Sequence, residues 1–145
     1  MAQSLSKIYL HVVFHIKYNS PEIRKGDLER VHSYIGGIVN AIGCYTLRVG
    51  GVENHVHVLC MLSRTENPSH LVEELKRKSS RWIKTLDPYY ERFAWQGGYG
   101  VFSVSQSVVK TTMNYIENQQ THHARKKFEQ EYQELSGQNI SRSRE

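Results

Sequence analysis

Aspartate is scarce in this chain. Asp27 and Asp87 are the only two, and each stands beside a turn-forming residue, Gly26 or Pro88. A nuclease built on two metal ions held by converging carboxylates is therefore poorly supplied. Cysteine is as rare: Cys44 and Cys60 both lie among apolar residues. They offer neither a disulfide framework nor a zinc spacing, which suits a reducing, cytoplasmic setting. No apolar run is long enough to cross a bilayer. The apolar stretch at 8–16 is broken by His11 and His15, so no signal peptide is expected. A glycine-rich loop leading into Lys-Ser or Lys-Thr is also missing, which removes a P-loop ATP site. There are no internal repeats and no long linkers.

What is present fits one domain with its own core, since 145 residues can bury one. We place that domain at residues 1–135, followed by a polar tail at 136–145. A net charge of +5 favours a polyanionic partner, nucleic acid first and an anionic membrane second. Along the chain, residues 7–17 alternate. Ile8, Leu10, Val12, Phe14 and Ile16 face one way, opposite Tyr9, His11, Val13 and His15, as in a strand with one buried face. Pro21 opens an expected helix to Ala41, with Gly43 ending it. Two strands, 45–49 and 53–62, read as a hairpin turned at Gly50-Gly51. A second helix spans 68–86, and a short strand spans 99–105. A third helix spans 108–123 with Ser105 or Ser107 as its cap, and a last charged helix covers 124–135. The order β-α-β-β-α-β-α predicts an α+β fold of ferredoxin-like type, an antiparallel sheet with helices on one face.

Three groups of residues carry chemistry. His55 and His57 are two apart on a strand, so both imidazoles project from one face and can share a metal ion; two exposed or core-edge histidines with no ligand are the competing reading. His11 and His15 belong to a strand that can line the same face. Tyr115 and Gln119 are four apart on the third helix and stack on one side. Tyr115 lies at the flank of the stripe Val109, Met113 and Ile116, where a packing tyrosine is the default reading of this helix taken alone; Gln119 adds a neutral oxygen donor. His122 continues that face, and His123 falls nearer the stripe. Finally, the run Lys76-Arg77-Lys78-Ser79-Ser80-Arg81-Trp82-Ile83-Lys84 has five cations and no acid. Arg77, Arg81 and Lys84 form a row that can follow a phosphate backbone, or a solvated helix face. Trp95, Tyr99 and Phe102 offer surfaces on which unpaired bases could stack.

Five blocks, in order, resemble one family. They are Leu-His-Val-Val-Phe-His-Ile-Lys-Tyr, Glu-Asn-His-Val-His-Val-Leu, Leu-Lys-Arg-Lys-Ser-Ser-Arg-Trp, Gly-Gly-Tyr-Gly-Val-Phe-Ser-Val-Ser and Tyr-Ile-Glu-Asn-Gln-Gln-Thr-His-His. The chain is similar, over roughly residues 5–125, to the HUH-type single-tyrosine transposases of bacterial and archaeal insertion sequences. The resemblance implies an RRM-like or ferredoxin-like sheet and a divalent metal ion, Mg2+ or Mn2+, held by His55, His57 and Gln119. It implies Tyr115 as a nucleophile that forms a 5′-phosphotyrosine on single-stranded DNA at terminal hairpins. It further implies a homodimer in which the tyrosine helix can dock on the partner, so that an active site can combine His55 and His57 of one chain with Tyr115 of the other. Lys76, Arg77, Lys78 and Arg81 are the expected hairpin contacts. A domesticated relative that processes repeated hairpins, and a nucleic-acid-binding module without catalysis, are the alternatives.

Overall fold

The computed structural model describes residues 3–119 together with Leu135. β1 (Ile8–His15) leads to α1 (Leu28–Ala41), then the β2 (Tyr45–Val52) and β3 (His55–Leu62) hairpin. α2 (Pro68–Ile83), β4 (Gly100–Val104) and α3 (Val109–Glu117) follow. The four strands form one antiparallel sheet in the order β2-β3-β1-β4. This is the expected α+β arrangement. The last charged helix expected at 124–135 lies outside the described residues except for Leu135, which is helical. His122, His123 and the tail at 136–145 also lie outside them.

The main core lies between one sheet face and the helices α1 and α2. Leu10, Val12 and Phe14 of β1 and Val56, Val58 and Cys60 of β3 meet Val31, Ile35 and Val39 of α1 and Leu71, Leu75 and Ile83 of α2. Asn67 caps α2, its side-chain oxygen accepting from the backbone N–H of His70 at 2.9 Å, with Pro68 at the first helical position. α1 ends at Ala41, and Gly43 just beyond it turns the chain away with a φ of +93°, reached at little cost only by glycine.

Four expectations change. Residues 21–24 are not helical. The backbone N–H of Ile23 donates to Glu53 O (2.8 Å) and that of Arg24 to the Tyr90 hydroxyl (2.9 Å). These tertiary partners hold the segment extended, and α1 starts at Leu28 after a single 3-10 turn. The hairpin turns at Glu53 and Asn54, while Gly50 and Gly51 belong to β2. The helices do not share one face, for α3 packs on the opposite side of the sheet against β2 and β3. In consequence β1 is buried on both faces, with Val13 as enclosed as Val12. Lastly, a turn at Asn118 interrupts the third helix: α3 runs to Glu117 and Gln119 is again helical, while the rest of the expected span, 120–123, lies outside the described residues.

Candidate active site

Side chains alternate across a pleated strand, so His11, Val13 and His15 of β1 stand on the face turned away from α1 and α2. The register opposes His15 to His55 and Val13 to His57, which puts His55, His57 and Leu59 of β3 on that same face. Phe102 of β4 lies opposite His11, and Gly50 of β2 lies opposite His57. Among the described residues, five polar side chains are buried: His11, His55, His57, Gln119 and Ser79. All except Ser79 converge here. Burying polar groups is unfavourable unless they are paired or hold something, so their concentration at one place makes it the candidate site.

α3 covers this face at very close range. A Cβ placed on Gly50 would lie 2.5 Å from the carbonyl oxygen of Ile116 and 2.8 Å from its Cγ2. Glycine at position 50 therefore sets how deeply the helix sits. Ile116 itself is buried against the sheet and aims the neighbouring Tyr115 at the imidazoles. The Tyr115 ring meets those of His57 and His11 edge-on, with centroids 5.7 and 6.2 Å away. His11 Nε2 and His57 Nδ1 share a hydrogen bond of 2.8 Å. The rings of His55 and His57 are 5.2 Å apart. Gln119 completes the group: its Oε1 is 3.2 Å from His55 Nε2, and its Nε2 donates to the Tyr115 carbonyl at 3.4 Å. On the far side of the ring, His55 Nδ1 contacts Asn54 Oδ1 at 2.8 Å. His55, His57, Tyr115 and Gln119 thus meet within a single chain.

A family model described as "Transposase IS200 like" matches residues 4–119, a span that contains all four of these side chains. The chain belongs to the IS200-like transposase family. No curated protein gives a significant match. Two solved structures share the fold of this IS200-like chain. One is a candidate transposase from Deinococcus radiodurans R1, 20% identical, with a TM-score of 0.63 over 82% of this chain and 98% of that one. The other is a REP-associated tyrosine transposase bound to a REP hairpin, 10% identical, with a TM-score of 0.62 over 85% of this chain and 72% of that one.

In this IS200-like chain the basic row lies on α2, across the sheet from the imidazoles. Lys76 is already engaged: its ammonium donates to the carbonyls of Gln96 (2.6 Å) and Gly98 (2.8 Å). It also sits 5.5 Å from the centre of the Tyr99 ring. Burial holds its pKa below the usual lysine value. Arg77 pairs with Glu74, and Lys78 reaches the same carboxylate at 3.7 Å. Arg81 is exposed. Trp95 is no stacking platform for bases, because it is buried edge-on to Phe14 and Phe93 and donates through Nε1 to Ser79. Phe102 is half-buried beside His11. Among the described residues no helix is long and apolar enough to cross a membrane.

His11, Asn54 and Gly50 also shape the site, though the sequence assigns none of them a role there. Strand alternation does place His11 on the right face, but the pattern gave it no role there. Asn54 directly precedes the histidine pair, and its signal was only that proximity. Gly50 gave a misleading signal, since a glycine pair between two strands reads as a turn.

Proposed function

We propose that this chain cuts and rejoins single-stranded DNA at the ends of an insertion sequence, with Tyr115 as the nucleophile. The observation that carries this is the packing of the Tyr115 ring against His57 and His11 at the one place where buried polar side chains converge. Tyr115 Oη gives up its proton and bonds to the scissile phosphorus. The P–O3′ bond breaks, and the departing 3′-oxygen takes up a proton. The product is a 5′-phosphotyrosine and a free 3′-hydroxyl. The covalent link keeps the phosphodiester energy, so a second 3′-hydroxyl can displace Tyr115 and restore a DNA strand.

His55, His57 and Gln119 would hold a divalent metal ion, Mg2+ or Mn2+. Among the described residues no three His, Cys, Asp or Glu side chains are placed to hold one, so the third donor would be the Gln119 amide. The donor chemistry fits. With His55 Nδ1–H donating to Asn54 Oδ1, the Nε2 lone pair faces Gln119 Oε1, an arrangement suited to a cation. When bound, such an ion supplies Lewis-acid stabilisation of the charge that develops on the phosphate. The chain's own residues do the rest. His11 holds the orientation of His57, Gln119 ties the Tyr115 backbone to the His55 side, and α3 screens the site from water.

Terminal hairpins are the proposed partner, by analogy with the hairpin bound to the REP-associated structure, and a homodimer is the proposed assembly. Arg77, Lys78 and Arg81, with Lys76 behind them, would meet the stem phosphates. The test uses labelled single strands from the flanks of the chain's own gene, incubated with Mg2+ or Mn2+ and run on a denaturing gel. A metal-dependent protein–DNA adduct that Tyr115→Phe loses supports the proposal. Tight hairpin binding with no adduct would instead assign the chain to DNA binding without strand transfer.

A further inference from the structure

A groove of about 580 Å3 lies beside the imidazoles, its lining including His15, Lys17, Tyr18, Glu22, Asn54 and Gln96. Asn54, whose side chain contacts His55 Nδ1, forms its inner wall. The outer wall is the turn at 17–20, which is firmly pinned. Ile16 N–H donates to Asn54 O (2.9 Å), Lys17 N–H to Ala94 O (2.8 Å) and Ser20 N–H to Lys17 O (2.9 Å). Ala94 N–H donates to Ser20 Oγ (3.0 Å), and Gln96 N–H to His15 O (2.8 Å). On this fixed turn the side chain of Tyr18 stands 99% exposed. A rigid backbone that presents a bare aromatic next to a lysine, at the mouth of a site for single strands, is the form of a base-stacking platform. Glu22 is the only acid lining the groove. It repels phosphate and accepts hydrogen bonds from exocyclic amino groups, so that end suits a base edge, with the phosphate lying toward Lys17.

We propose that this turn docks one nucleotide flanking the scissile phosphate, its base stacked on Tyr18 and its phosphate paired with Lys17. The inference rests on the reading of Tyr115 as the nucleophile. The docked nucleotide anchors the strand while Tyr115 attacks. Because Glu22 accepts from amino groups, the groove prefers adenine, guanine or cytosine to thymine.

The test uses the full chain and single-stranded oligonucleotides from the flanks of its gene, with 2-aminopurine placed in turn at each position within two nucleotides of the mapped cut. In the wild type, one position shows quenched fluorescence on binding. Tyr18→Ala loses that quenching and needs roughly tenfold more DNA to half-saturate adduct formation, whereas its rate at saturating DNA is unchanged. Tyr18→Phe keeps both. Tyr45→Ala, at another exposed tyrosine (60%) on the outer strand β2, serves as control and changes neither. If the wild type forms the adduct and Tyr18→Ala half-saturates at the wild-type DNA concentration with quenching intact, the platform is wrong and the nucleophile stands. A wild type that forms no adduct removes the nucleophile reading and the platform with it.

Discussion

Replacing Gly50 with alanine should disable strand transfer while leaving the chain folded. The added Cβ would lie 2.5 Å from a backbone oxygen of α3, about 0.9 Å short of ordinary contact. Nothing nearby is a flexible side-chain tip that could swing aside, since Ile116 O belongs to the helix and Ile116 is itself buried. Relief must come from α3 backing away from β2, and Tyr115 moves with it. Forcing an extra carbon into a packed contact costs about 1–3 kcal/mol, a fall in melting temperature of roughly 3–10 °C for a domain of this size. A displacement near 1 Å at a reacting group costs on the order of 100-fold in rate. The assay is single-turnover adduct formation at saturating DNA, with a thermal melt on the same preparation. Gly37→Ala is the control, because a Cβ there meets nothing within 4 Å. It should leave the rate alone and stabilise α1 by about 0.5–1 kcal/mol. A Gly50→Ala protein that forms adduct at the wild-type rate would refute the idea that this contact seats Tyr115.

Other substitutions probe separate parts of the account. Asn54→Ala should raise the Mn2+ or Mg2+ concentration at half-maximal adduct formation by roughly 10–100-fold, because it frees the orientation of His55; His57→Ala should abolish the metal response, and an unchanged titration in both would misplace the metal. Burial, with the charge of His57 adding to it, pushes His32 down to about 4. A histidine kept neutral in the fold contributes stability that is complete above pH ~6.5 and is lost as pH falls toward 4. Melts at pH 7.5 and 5 should therefore diverge less in His32→Gln than in the wild type, and equal divergence would contradict the burial argument. Reversing Arg77 and Arg81 to glutamate should weaken hairpin binding and flatten its log–log salt dependence by roughly 2 units; an intact slope would make α2 a solvated face.

Much of the scaffold is readable in the residue order, because each element carries its own period. Alternation in β1 and the spacing of Leu28, Val31, Ile35 and Ile38 set strand and helix with no knowledge of neighbours. The same period-two rule puts His55 and His57 on one face. Features that depend on distant partners are not readable this way. The pairing of His11 with His57 spans 46 residues and follows from the β1–β3 register. Residues 21–24 look like a helix start until Glu53 and Tyr90 claim their N–H groups. Gly50 and Gly51 suggest a turn from local chemistry, yet Gly50 makes room for α3. A Cβ on Gly51, at φ +149°, would come within 2.3 Å of His55 O. The basic run at 76–84 reads as five cations alike in charge, and only packing shows Lys76 committed to two carbonyls.

The central claim, that Tyr115 is a nucleophile for DNA, is tested most directly by the covalent adduct itself. Wild-type protein and Tyr115→Phe are incubated with single strands from the gene's own flanks and Mn2+, and the gel-purified adduct is digested and mapped by mass spectrometry. The wild type should carry a 5′-linked nucleotide on the peptide containing Tyr115, and the variant none. A metal-dependent adduct that persists in Tyr115→Phe, or one mapped to a different residue, would contradict it.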